Sequence, residues 1–150
     1  MKPLFVLLGT FFVSLIILKT GFGGFNFSLA GRIAMSGMLM FTSAGHFAFP
    51  KGMILMIPDF FPFKKILVYF TGIIEISAAA GLLIHSLQRL TAFLLIAFFI
   101  LILPANINAA IRHIDYQKGT NDGNGVSYLW FRIPLQVFFI AWTYFFAIYL

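Results

Sequence analysis

The stretch KKILVYFTGIIEISAAAGLLIH, residues 64–85, decides how this chain folds. Two lysines open it, and an apolar run follows that matches the roughly 20 residues a helix needs to cross hydrocarbon. One acid, Glu75, interrupts that run near its middle. The rest of the chain has the same character. Of its 150 residues 61% are apolar, only 9% are charged, and Phe alone fills 21 positions. A soluble domain carries about 25% charge. With four acidic residues nothing solvates a globule of this size, so the reading is an integral membrane protein.

Working outward from residues 64–85, the apolar runs between polar breaks predict an all-α membrane protein with spans at about 3–18, 28–48, 64–85, 89–112 and 128–149. The last four are expected to form a compact four-helix transmembrane bundle, with the first as an extra N-terminal transmembrane helix. Gly21, Gly23 and Gly24 separate the first two runs, and Ser28 is the expected N-cap of the second. Between the second and third, Pro50, Pro58 and Pro62 forbid one long helix, yet Met53, Ile54, Leu55, Met56, Phe60 and Phe61 are too apolar for a wet loop. Residues 50–63 therefore read as an interfacial or re-entrant piece covering one end. The only clearly water-facing loop is 115–125, rich in Gly, Asn and Asp. No internal repeat or linker divides the chain, so residues 1–150 form a single domain. The first run lacks a small-x-small cleavage site and reads as a span rather than a removed signal peptide.

Charge sets the orientation. The end that holds the N-terminus collects Lys2, Lys51, Lys64, Lys65, Arg112, Lys118 and Arg132, and the other holds Lys19, Arg32 and Arg89. The positive-inside rule then predicts a cytoplasmic N-terminus and an external C-terminus. Cations scattered between apolar runs are loop anchors, not a basic face, which excludes nucleic acid as a partner. Zero Cys removes disulfides, thiolate metal sites and dithiol relays.

Polar residues where lipid should be are the candidate site. A charge near mid-bilayer costs about 2.5–3.5 kcal/mol on insertion scales, so Glu75 must be paired, protonated or facing a cavity. Helix depth gathers His46, Asn106, Arg132 and Gln136 into the same cytoplasmic half as Glu75, from different helices. Arg132 and His46 are the expected charged partners of Glu75. Pro104 and Pro134 free the carbonyls of Ile100 and Trp130 and should kink their helices at matched depth, as a pocket requires. The same residues also suit plain interhelical packing, as does the small-residue run from Ser77 to Gly81. Met35, Met38, Met40, Met53 and Met56 include spacings that would suit Cu(I), but in so apolar a chain methionines fill gaps, and no metal is expected. His85 and His113 read as interfacial. Phosphate loops, H-E-x-x-H and carboxylate pairs are absent from the sequence.

The segment GHFAFPKGMILMIPDFFPFKKILVYFTGIIEISAAAGLL, residues 45–83, with LPANINAAI, residues 103–111, resembles the DoxX-like family of small bacterial membrane proteins. The likeness rests on Gly45-His46-Phe47, the loop at Pro58, Gly72 to Glu75, and Pro104 to Asn106, within roughly residues 30–112. It implies a core of four helices and points to His46, Glu75 and Asn106 without assigning them a catalytic role. Relatives in that family include DoxD subunits of a thiosulfate–quinone oxidoreductase and the receptor-assembly chaperone NACHO, whose jobs differ in class.

Two functions follow as expectations. One is an accessory subunit whose buried polar pocket holds a quinone or similar apolar ring, with electrons supplied by a redox partner, since the chain has no evident carrier of its own. The other is a non-catalytic assembly chaperone or scaffold. Lipid or isoprenoid binding in the same pocket is a third. The expected partners are the lipid bilayer, other membrane proteins and, as a candidate, a second copy of the chain.

Overall fold

A computed structural model describes residues 2–150. Among them every regular element is helical, and the only β-type pairing is an isolated bridge between Asp115 and Thr120. The order is α1 (Lys2–Phe22), α2 (Phe27–Ala48), α3 (Pro50–Met56), α4 (Lys64–Leu83), α5 (Gln88–Leu101), α6 (Leu103–Ile111) and α7 (Leu129–Tyr144). A 3-10 turn, Val126–Tyr128, leads into α7, and a π turn, Phe145–Tyr149, follows it. Four stretches are long and apolar enough to cross a membrane: Lys2–Gly21, Lys64–Leu83, Gln88–Ile111 and Val126–Tyr149. Their outward residues, such as Phe5, Phe12, Ile66, Phe70 and Leu101, are exposed, which suits contact with lipid.

Local chemistry sets the element ends. Asn26, not Ser28, caps α2, its side chain accepting from Leu29 N at 2.9 Å. Ser28 instead donates to Phe146 O at 3.1 Å and ties the chain's last turn to the start of α2. Pro50 stands in the first turn of α3, where its missing N–H costs nothing. Pro104 does the same for α6, so the expected kink is a full break: the long apolar run from Gln88 to Ile111 divides at Ile102. Pro134 remains inside α7. The 50–63 segment is one short helix followed by a proline-rich turn. Two other elements hold it: Asn108 Nδ2 donates to Met56 O at 2.8 Å, and Asp59 joins Lys64 (2.7 Å) and Arg112. Those two cations, Arg112 first, hold the exposed Asp59 carboxyl well below its usual range, at about 2. Gly52 lies against the Tyr116 carbonyl, so α3 and the 112–125 loop pack closely.

α2 is the hub. It packs along α4 on one side and α1 on another, and it touches α7 and the final π turn. Its buried face is small or flexible: Ala30, Gly31, Ala34, Met35, Ser36, Met38, Leu39 and Ser43. Met35 and Met38 sit in the core with Leu7, Leu82, Leu95, Phe99, Phe139 and Trp142. α4 shows the complementary pattern, with Val68, Gly72, Glu75, Ala79 and Leu82 inward at helical spacing. Close approach needs the small residues. Of that run Ser77 is exposed, Ala78 and Ala79 are buried in the core, and Gly81 lies against Thr91.

Gly31 is packed under Phe146, and Trp142 Nε1 donates to the Gly31 carbonyl at 3.0 Å. A Cβ on Gly31 would lie 2.1 Å from Phe146 Cγ, whereas nothing lies within 4 Å of one on Gly9. Gly31→Leu should therefore lower stability by about 1–3 kcal/mol or more through overpacking. Gly9→Ala should be neutral or gain up to about 1 kcal/mol from helix propensity. Thermal unfolding in detergent reads both; equal effects would refute this packing.

Candidate functional site

The two expected charged partners of Glu75 have different fates. Its carboxyl is buried on the inner face of α4, and His46, near the C-terminal end of α2, brings Nε2 to 3.6 Å from Oε2. Gly72, one turn before Glu75, makes this approach possible: a Cβ there would come within 2.9 Å of the His46 Cβ. Arg132, in the first turn of α7, lies instead beside Tyr128, with its guanidinium carbon 6.0 Å from the ring centroid. Among the described residues Arg132 enters no ion pair.

The hydrogen bonds around His46 fix its proton. Nδ1 is 2.9 Å from Val68 O and 3.1 Å from Thr71 Oγ1. A carbonyl can only accept, so Nδ1 must carry the hydrogen and donate to Val68 O. Thr71 Oγ1 in turn sits 2.9 Å from both Leu67 O and Val68 O, so its own hydrogen goes to the helix backbone. In a neutral imidazole Nε2 is then a bare lone pair, facing Glu75. At 3.6 Å, Nε2 and Oε2 stand beyond hydrogen-bond range but within ion-pair range. Glu75 Oε2 accepts no hydrogen bond from any described residue and is shielded from solvent. The arrangement sets an imidazole nitrogen and a carboxyl oxygen face to face between two helices.

Asn106 and Gln136 form a second pair. Asn106 Nδ2 donates to Gln136 Oε1 at 2.9 Å, joining α6 to α7, and both side chains are buried. Gln136 Nε2 donates to Phe99 O, in the last turn of α5. Sequence reading expects Pro104 to free the carbonyl of Ile100; the side chain at the break caps the carbonyl one residue earlier. Among the described residues no hydrogen bond or ion pair joins this pair to His46–Glu75. The five expected residues thus resolve into the hydrogen-bonded Asn106–Gln136, the facing pair His46–Glu75, and Arg132 apart.

Three residues with structural consequence escape a reading by depth. Thr71 and Asn108 act on backbone carbonyls, and any polar residue at a helix level can do that. Arg32 was counted with the loop anchors but lies inside α2, where Nη1 donates to Leu82 O (3.3 Å) and Gln88 Oε1 (2.5 Å). Its signal is legible: it falls within a predicted span, four residues after the expected N-cap Ser28.

Widening Gly72 should separate the pair. Gly72→Val is expected to push His46 away, strand the Glu75 carboxyl and lower the melting temperature. Adding Glu75→Leu to that chain should recover part of the loss, because no stranded carboxyl remains. Strict additivity of the two changes would show that His46 and Glu75 are not coupled.

All five expected residues, with both pairs, fall within residues 35–147, where a family model matches three quarters of the chain. No curated protein and no solved structure matches it. The match runs from the middle of α2 through α7, so this chain belongs to the family described as Domain of unknown function (DUF8561).

Proposed function

We propose that this chain is a five-span membrane protein of the DoxX-like type, an accessory subunit that holds a quinone or similar ring at His46–Glu75. Its electrons come from a redox partner, and the pair passes a proton to or from the bound ring. The observation that carries the reading is the buried Oε2 of Glu75, which accepts no hydrogen bond although His46 Nε2 stands 3.6 Å away. A half-satisfied carboxyl in hydrocarbon is expensive unless something is meant to meet it.

The fifth span is α2. Its 22 residues match the others in length but are less apolar, as suits a helix whose surface is largely covered by α1, α4 and α7. The bundle is then α2, α4, α5 with α6, and α7, with α1 added along α2 and α3 lying at the interface. The end rich in cations faces the cytoplasm of a bacterial inner membrane. Exposed Trp130 suits the aromatic belt at that interface. Reporter fusions at the C-terminus should be active only outside the cytoplasm; activity only inside would reverse the orientation or remove a span.

A scaffold or assembly reading is favoured by a different observation. Asn106, Gln136 and Ser36 spend their donors on bonds between helices, Ser36 on Ala79 O at 2.8 Å. Organic extracts of the purified chain separate the readings. A quinone, seen by absorbance and mass, should co-purify with the wild type and be lost from Glu75→Gln, which keeps the size and hydrogen bonding needed to fold. A wild-type extract no richer in quinone than empty micelles would leave the scaffold reading, and an isoprenoid or lipid mass would replace the ligand.

A further inference from the structure

The loop between α6 and α7 runs Thr120-Asn121-Asp122-Gly123-Asn124-Gly125 and holds the chain's one Asn–Gly pair and its one Asp–Gly pair. In such a pair the glycine nitrogen can attack the side-chain carbonyl carbon of the residue before it, because no Cβ crowds the approach. The fold treats the two pairs differently. Gly123 N donates to the His113 carbonyl at 2.6 Å, so attack on Asp122 must first break that bond. Asp122 is a poor target besides. Its carboxyl accepts from the Thr120 hydroxyl and faces Lys118 at 3.5 Å, which hold it ionised and below its usual range.

Asn124–Gly125 has no such protection. Among the described residues Gly125 N donates no hydrogen bond. Asn124 is exposed, and its side-chain amide bonds no described residue; only its backbone carbonyl is engaged, by Ser127 Oγ at 3.1 Å. A neutral amide carbonyl is attacked more readily than a carboxylate, and asparagine is thermolabile for this reason. Packing fixes the glycine. Gly125 has φ +69°, and a Cβ there would lie 2.3 Å from His113 Cε1, so the ring can cover only a glycine. The contact that closes the loop thus keeps the labile pair in place.

We infer that Asn124 is a site of covalent self-modification, through a succinimide ring formed with Gly125. The bond from Gly125 N to Asn124 Cγ forms, the Cγ–Nδ2 bond breaks, and Nδ2 leaves as ammonia with the proton from Gly125 N. Water, which reaches this exposed loop, then opens the ring at either carbonyl. Opening at Cγ gives aspartate; opening at the backbone carbon gives isoaspartate, whose chain runs on through Cγ. Either product adds a negative charge. Isoaspartate also lengthens the backbone by a methylene just before the Val126–Tyr128 turn and displaces the carbonyl that Ser127 holds. The change does not depend on what His46–Glu75 binds.

Ageing the purified full chain in detergent at mildly alkaline pH, beside the same chain in denaturant, tests this. Cleavage after Lys118 and Arg132 releases residues 119–132, so fragment mass spectra read both pairs in one peptide. In the folded chain the amide-to-acid mass change should grow at Asn124, with isoaspartate among the products, while Asp122 stays unconverted. Denaturant removes the bond from Gly123 to His113, so Asp122 should then convert as well, and the ratio of conversion at 124 to that at 122 should fall. Asn124→Gln, whose longer side chain closes a ring far more slowly, should remove the change. An intact Asn124 in the folded chain while the denatured chain converts would overturn the proposal, as would a ratio no larger folded than denatured.

Discussion

A carboxyl placed in hydrocarbon has to find its partner inside the protein, and much of this structure follows from how Glu75 finds one. The partner comes from α2, so α2 and α4 must lie close enough for side chains at the pair's level to meet. Gly72 permits that approach, and His46 uses it. The same two helices are tied at two further levels, Ser36 to the Ala79 carbonyl and Arg32 to the Leu82 carbonyl. Together the three ties set an antiparallel register along nearly the whole contact. Because lipid is as apolar as the side chains, burial alone distinguishes poorly between registers, and polar ties with small residues take over that task.

A different problem is solved at the break between α5 and α6. Pro104 cannot continue the backbone ladder, and an unmet carbonyl in hydrocarbon is as costly as an unmet carboxyl is awkward. Gln136 reaches across from α7 to the Phe99 carbonyl while accepting from Asn106. One amide thus caps a helix end, joins two helices and leaves little polar surface over. Such fully used groups stiffen a bundle, whereas Glu75 Oε2 accepts no hydrogen bond from the described residues.

Electrostatic balance divides the molecule in another direction. At the end with α3 and the 112–125 loop, Asp59 pairs with Lys64 and Arg112 and Lys118 with Asp115 and Asp122, and the ion pairs of Asp59 hold the turn before α4 against the end of α6. At the far end Arg32 is held by the neutral Leu82 carbonyl and Gln88 side chain.

Composition and hydropathy were enough, from sequence, to establish an all-helical chain with long apolar helices, because backbone groups in lipid must be satisfied within each segment. Element ends near Gly23, Pro50, Lys64 and Gln88 were equally legible, since glycine, proline and charge act locally. Helix depth also placed His46, Glu75, Asn106 and Gln136 at comparable levels. Depth says nothing of azimuth. Which face each residue turns, and so which pairs form, depends on helix rotation and on close contacts such as Gly72 against His46 and Gly31 against Phe146. That is why Arg132, at a suitable depth, lies beside Tyr128 instead of Glu75, and why Arg32, read as an anchor for a loop, became a tie between helices. The sequence by itself determined the solvent, the helices and the polar residues that needed partners. Only tertiary packing decided the partners, because a hydrogen bond is made or lost over a few tenths of an ångström, and only the assembled helices set distances that fine.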